Sequence, residues 1–600
     1  SSNFKTKSVD QIIFENTHTW DEEQQESFLF LWLTDVHYDP LYDKSMSWET
    51  LCRNADNRYR LLLDEDQFPV ENNNTGIRST IDKLSKSGEF VKIFSQLQSL
   101  QRTPFMAAGK YDKSGFPIES GSATDGGVGA AASSKASTNQ IVPKSASQKN
   151  IPAYWGRIGC DSPHNIIQSS FDLLFDVVEY FRSSVKGEAK LVKKEQSSKK
   201  EIEDALDIFS SSIPPSGSTT SSLKFVLFTG DFPSHYESRD LRFSAIKEFT
   251  DKFMRNFSQT YRNVPIVLTV GNNDLYNDYY ILDEPNAWSE DLYALWKEFL
   301  PQDENTAKTF TTGLYYATTV KDLPSIVLLC INTQFYSIMR NEFTINPRPF
   351  RDPNDPAGQF AWMEEQLEDA YKFGKKVVII GHIAPGNSYY YNSGKYGGTL
   401  QWYDLYARRY QIILSKFPST IAANLFGHSH LDGYRIFSSY DLDKNNISHS
   451  EFPTLIAPSI SPIHGNNPGI RLMAMSHTFG TTNAIDDPTV ESIEISGNLK
   501  IADYLQFYFP LYDFKSLGTF DSRPMSPRVS YTFSKEYGLP DVTADSLKRL
   551  NRLRATNEEA FWSFNKHKYV RGAVIPSFIE NCIGETVTSS GYDLCIVSSG

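Results

Sequence analysis

Long apolar runs are absent from this 600-residue chain: none reaches the roughly 18 residues that a membrane-spanning helix requires. An excess of positive charge is absent too. Lys and Arg number 59 against 72 Asp and Glu, so the formal charge is −13 and no global field recruits nucleic acid. Protonating all 11 His would cancel most of that charge, so an acidic compartment would nearly neutralise the surface. An anionic substrate must then be held by a local patch or by metal. Cysteine is scarce, at five, and no internal repeat is visible. The chain opens on Ser1 rather than Met, which leaves room for a signal or membrane anchor upstream.

What is present is core material. Apolar residues make up 40% and aromatic residues 14%, which excludes a disordered or collagen-like chain as a whole. At roughly 150 residues per domain, the length accommodates one very large domain or two to four ordinary ones. Residues 112–150 and 186–222 break the pattern: the first is rich in Gly, Ser and Ala, the second in Lys pairs and then Pro and Ser. Both read as mobile insertions too poor in apolar surface to offset ordering entropy.

Cys330 sits in the apolar run Ser325–Ile331, which predicts a buried strand and a free thiol. The other four cysteines are expected to pair, Cys52 with Cys160 and Cys582 with Cys595. With sequons at Asn73, Asn256 and Asn446, this points to a lumenal or extracytoplasmic glycoprotein.

Short apolar runs at Phe28–Leu33, Lys224–Phe228, Pro265–Val270, Lys376–Ile380 and Thr420–Phe426 predict buried strands. Helical spacing recurs from Ile167 to Phe181 and is expected near 240–260, 288–300, 358–373, 402–417 and 540–570. Strands alternating with helices argue for a layered α/β core. Each predicted strand ends in polar residues of one chemical type. The first leads into Asp35-Val36-His37 and the second into Gly230-Asp231. The third leads into Gly271-Asn272-Asn273-Asp274, the fourth into Gly381-His382 and the fifth into Gly427-His428-Ser429-His430. Strand ends on one sheet edge converge, and ligands bind there in α/β folds. Carboxylates, an amide and imidazoles form a donor set for two divalent or trivalent ions.

These five motifs resemble the calcineurin-like metallophosphoesterases. Asp35-Val36-His37-Tyr38-Asp39, Gly159-Cys160-Asp161-Ser162-Pro163, Gly230-Asp231-Phe232-Pro233-Ser234-His235 and Gly381-His382-Ile383-Ala384-Pro385-Gly386 are similar to the acid sphingomyelinase-like subgroup. The insertions and Gly271-Asn272-Asn273-Asp274 further resemble the fungal vacuolar endopolyphosphatases. The resemblance implies an α/β fold, a four-layer αββα sandwich with a small helical C-terminal subdomain. Its expected parts are an extension over 1–27, a catalytic domain over 28–490 carrying both insertions, and the subdomain over 491–600.

By the same resemblance, one ion is held by Asp35, His37, Asp231 and His430, and the other by Asp231, Asn272, His382 and His428. Their identity stays open among Zn, Mn, Fe and Co. The implied activity is metal-dependent cleavage within inorganic polyphosphate in a vacuolar lumen. The alternatives are a sphingomyelin-type phosphodiesterase and an inactive polyphosphate-binding scaffold.

One departure stands out. Asn273 occupies the place of the family's phosphate-contacting His and can donate a hydrogen bond but not a proton. His235 is therefore the expected proton donor. A phosphate leaving group needs less acid assistance than an alkoxide, which favours a phosphoanhydride. Arg549, Arg552, Arg554, Lys566 and Lys568 are candidates to line a groove for the polyanion.

Overall fold

The computed structural model describes residues 25–45, 52, 110–111, 117–118, 155–156, 159–186, 197–213, 222–235, 238–340, 349–386, 400–441, 446–482, 493–511 and 525–571. The predicted insertion over 112–150, apart from 117–118, and the expected Cys582–Cys595 bridge lie outside these residues.

Among the described residues, twelve strands form two six-stranded sheets, apart from a two-residue pairing of 110–111 with 117–118. They are β1 (Gln25–Leu33), β2 (Ser222–Phe228), β3 (Ile266–Leu268), β4 (Tyr316–Thr318), β5 (Ile326–Cys330) and β6 (Lys376–Ile380), followed by β7 (Ile421–Phe426), β8 (Gly433–Asp441), β9 (Asn446–Ile456), β10 (Gly469–Thr482), β11 (Ile493–Tyr508) and β12 (Arg528–Thr532). The first sheet has the order β12-β11-β10-β1-β2-β3 and the second β8-β9-β7-β6-β5-β4. β1, β2 and β3 run parallel, as do β5, β6, β7 and β9. All five motif-bearing strands therefore end at the same edges of their sheets. β11 lies against β6 and β7, and the Tyr316 hydroxyl bridges to the Leu268 backbone, so the two sheets face each other.

Helices cover the outer faces. α1 (His164–Lys186) packs on β2, with Phe171 meeting Phe228, Phe249 and Phe253. Phe249 ends α3 (Arg239–Phe249), which follows α2 (Ser197–Ser212) and runs through one π turn into Arg255–Thr260. α4 (Ala287–Trp296) and α5 (Glu304–Gly313) flank the sheet edge. α6 (Gln359–Lys372) and α7 (Asp404–Lys416) cover the second sheet against β6 and β8. The core is nearly continuous between these layers, since it is supplied by β-branched and aromatic residues of both sheets.

Three expectations change. The segment 186–222 contains an ordered helix: Ile202, Leu206, Phe209 and Ile213 form a buried stripe, and α2 packs against β12. The Lys pairs signal only its solvated side. The boundary at 490/491 falls between two paired strands, because β11 and β12 extend the first sheet rather than founding a subdomain. The helical stretch over 540–570 is two helices, α8 (Ala544–Thr556) and α9 (Glu558–Lys568), divided at Asn557, whose side chain caps the second. Cys330 is a buried free thiol in β5, as its apolar run predicts.

Candidate metal centre

Asp35, His37, Asp231, His428 and His430 all adopt positive φ, between 44° and 70°. For residues with a Cβ this region costs about 1–2 kcal/mol each, and such strain gathers at functional sites. Backbone hydrogen bonds hold it in place: Asp35 N donates to Gly230 O (3.0 Å), His37 N to Asp231 O (2.9 Å) and His428 N to Asp35 Oδ2 (2.8 Å). Glycines admit the close nesting of these turns. A Cβ on Gly271 would fall on Asp231 Oδ1, and one on Gly427 on Thr34 Oγ1.

The five strand ends deliver one cluster. His37 Nε2 and His382 Nε2 stand 3.4 and 3.3 Å from Asp231 Oδ2, and His430 Nε2 lies 3.3 Å from Asp35 Oδ1. Asn272 Oδ1 meets His382 Nε2 at 3.1 Å, and His428 groups with Asp231 and His382. All seven residues expected to ligate metal are thus together, every one buried except His428, which is partly exposed.

The donor atoms fit cations. Asp35 Oδ1 is buried and accepts no hydrogen bond, and His37 Nε2 and His430 Nε2 converge to 3.1 Å beside it, so a carboxylate oxygen and two imidazole nitrogens meet at one spot. The opposite nitrogens of His37 and His382 donate to Pro233 O (3.1 Å) and Thr229 O (2.7 Å), which turns Nε2 toward the cluster.

Charge is concentrated accordingly. Burial opposes protonation of His37 and His382, but Asp35 and Asp231 prevail and hold both imidazoles raised to about 9. Burial and the neighbouring His382 push His428 down to about 3, and burial with adjacent imidazoles lowers His430. Burial is the largest single influence and would raise Asp35 and Asp231, yet the surrounding imidazoles, His382 foremost, together outweigh it and lower both.

Around the cluster sits a supporting set to which the sequence motifs gave no role. Asp274 accepts from the backbone N–H groups of Gly271, Asp231 and Phe232 at 2.7–2.8 Å, tying the turns at Asp231 and Asn272 to each other. Asp278 accepts from Asn272 Nδ2 (2.7 Å), which turns that amide's oxygen toward His382. Asp432, two residues beyond His430, receives Arg471 Nη2 and the Tyr531 hydroxyl, both at 2.5 Å, so strands β10 and β12 brace the His428–His430 turn. Asp161 belongs to a quoted motif but carried no role. It accepts from His235 N (2.9 Å) and Nδ1 (3.0 Å), and its pKa is held well below the usual carboxylate range because His235 outweighs burial.

The His235 ring stacks on His37 at 3.9 Å. Asn273 is fully buried, and both its backbone N–H (2.8 Å) and its side-chain amide (2.9 Å) donate to Asp231. It braces the shared carboxylate instead of facing outward. Cys52 and Cys160 are disulfide-bonded, which anchors the residue preceding Asp161.

Residues 198–432 match the family model described as calcineurin-like phosphoesterase. This chain carries a calcineurin-like metallophosphoesterase domain. Its homologues are acid sphingomyelinase-like. The chain is 30% identical over 250 residues to sphingomyelinase phosphodiesterase D of Dictyostelium discoideum, covering 41% of this chain and 50% of that protein. It is 26% identical to rat cyclic GMP-AMP phosphodiesterase SMPDL3A over 68% of this chain and 73% of the relative. It is 24% identical to human acid sphingomyelinase-like phosphodiesterase 3b over 77% and 86%. Among solved structures, a dimetal phosphatase from Danio rerio overlaps 46% of this chain and 84% of its own at 12% identity, with a TM-score of 0.28.

Proposed function

We propose that the chain hydrolyses a phosphorus centre carrying two bridging oxygens, as in a phosphodiester or the interior of a phosphoanhydride chain. The likeness to phosphodiesterases over 68–77% of the chain carries this reading. Two ions, one held by Asp35, His37, Asp231 and His430 and one by Asp231, Asn272, His382 and His428, would supply an acidified water and positive charge beside the phosphoryl oxygens. The chain's own part is positional. Asn273 fixes the Asp231 carboxylate, Asp278 fixes the Asn272 amide, and Asp161 accepts a hydrogen bond from His235 Nδ1–H, which keeps its proton. The other His235 nitrogen is then the one to donate to the leaving oxygen.

The relatives favour a phosphodiester of the sphingomyelin or cyclic-dinucleotide kind. A second reading, cleavage within inorganic polyphosphate, is favoured by Asn273: its amide is spent on Asp231, and a phosphate leaving group needs least acid help. The Cys52–Cys160 bridge supports an oxidising, lumenal setting, and with the polyphosphate reading we place the protein in a vacuole.

The test is parallel digestion of a synthetic bis-aryl phosphodiester, sphingomyelin vesicles, cyclic GMP-AMP and long-chain polyphosphate by metal-loaded protein, with a chelator control. Chelator-sensitive turnover of the bis-aryl diester is expected. Intermediate-length products from polyphosphate would select the second reading, and its persistence at full length would exclude it. Inactivity on all four would refute a hydrolase and leave a binding scaffold.

A further inference from the structure

β9 runs parallel to β7, so the loop that follows it, 457–468, leaves at the same edge as the metal-binding turns. That loop is held by the site itself. Ala457 N donates to Phe426 O (3.0 Å), Ile460 N to Thr34 O (3.1 Å) and Ser461 N to Asp35 O (3.1 Å). The amide of Asn466 reaches Ser459 Oγ (3.0 Å), Ser461 O (3.1 Å) and Asn467 O (3.0 Å), while Gly465 N closes a turn onto Pro462 O (3.3 Å). Ser461 Oγ donates to Asp161 Oδ1 (3.1 Å), the carboxylate that also orients His235. This buried polar scaffold presents one exposed imidazole at the turn, His464. Its ring stands edge-on to His430 at 4.5 Å and to His235 at 6.1 Å.

We propose that His464 is a substrate contact whose imidazole N–H donates a hydrogen bond to a non-bridging phosphoryl oxygen. It would supply the outward-facing donor that the Asn273 position lacks, since the Asn273 amide is buried on Asp231. The proposal rests on the phosphohydrolase reading above. A neutral imidazole suffices, because the role is donation of a hydrogen bond and not transfer of a proton. With His235, two imidazoles outside the metal-binding set lie side by side next to His430, one from each sheet's loops, so both are within reach of a phosphoryl group at the metals.

The test compares His464→Phe, which keeps the ring and its edge contacts but has no N–H, with His464→Gln, which keeps a donor. Metal content, orthophosphate affinity by calorimetry on metal-loaded protein, and kcat/KM on whichever substrate the parent cleaves are read for each. A hydrogen bond to a charged oxygen corresponds to about 10- to 100-fold. His464→Phe should therefore weaken orthophosphate binding and kcat/KM by that factor with metal content unchanged, and His464→Gln should recover part of the loss. Parent-like binding and turnover by His464→Phe would overturn the proposal while leaving the phosphohydrolase intact. So would loss of metal in that variant, which would assign His464 a structural role. If the metal-loaded parent neither binds orthophosphate nor turns over any phosphoester, the site reading fails and takes His464 with it.

Discussion

Asp231 is the residue on which most of the centre converges: two imidazoles approach one oxygen, and Asn273 donates to both carboxylate oxygens. Asp231→Asn removes the charge shared by both ion positions and gives Asn273 a partner that also carries N–H groups. Hydrolysis should fall by about 10²-fold or more and metal content should drop, since losing even a supporting partner costs about 10- to 100-fold. The circular-dichroism spectrum should stay native. A variant retaining more than about a tenth of the parent rate would contradict a shared carboxylate.

Asp161 makes a second prediction. Its carboxylate acts through His235, so Asp161→Asn should cut turnover but add little once His235→Ala is in place. Each single change should cost about 10²-fold or more, and the double variant should be far less than multiplicative. Additive losses would separate the two residues. Because the folded-state value of Asp161 is depressed, its stabilising contribution is present above the ordinary carboxylate pKa of about 4 and is lost as pH falls through the lower folded value. The pair therefore survives mild acid. At this scale the residues that converge at the strand ends were legible, because each follows an apolar run with a Gly or Asp turn. Asp161, Asp278 and His464 were not, since their roles depend on partners 74, 6 and 34 residues away.

Among the elements, the strands that carry the site matched their apolar runs to within two or three residues at either end. The exceptions are informative. α2 was hidden because its apolar stripe is narrow and Lys-flanked, although Ile202, Leu206 and Phe209 keep helical spacing. β11 and β12 were assigned to a separate unit because hydrophobic pattern gives a strand but not its neighbour; pairing of β11 with β10 and of β12 with β11 places them in the first sheet. That placement has an energetic consequence. Arg471 on β10 is fully buried, bonded to Asp432 and to Gln506 Oε1 (3.0 Å), and lies over the Tyr504 ring at 4.2 Å. Arg471→Met strands the buried Asp432 carboxylate, and removing one partner of a buried pair costs about 3–5 kcal/mol. Urea denaturation should register that loss, and metal retention should weaken because Asp432 adjoins His430. A change below about 1 kcal/mol would mean that the pair does not brace the turn.

For the molecule as a whole, the question is what brings an anionic substrate to a chain of formal charge −13. Five cations near the C-terminus were candidates for a groove, but the structure removes two. Arg554 is fully buried, bonded to the Tyr434 hydroxyl (3.0 Å) and stacked on Phe564 at 3.8 Å, and Lys568 is buried beside it. Helical spacing could not separate these from Arg549, Arg552 and Lys566, which are exposed. Three exposed cations do not offset the formal charge of −13, so the attraction expected on the proposed function is that of the metal-loaded cluster at short range. Charges beyond a Debye length, about 10 Å at 0.1 M salt, are largely screened. Salt should therefore weaken the repulsion from the acidic surface more than the contact at the metals. On polyphosphate or cyclic dinucleotide, kcat/KM should rise or stay within about threefold between roughly 20 and 200 mM salt, whereas a steered polyanion binder loses affinity steeply over that range. On zwitterionic sphingomyelin it should hardly move. A tenfold or greater fall on polyphosphate would reveal a cationic track, and replacing Arg549, Arg552 and Lys566 together with Glu would show whether α8 and α9 form it.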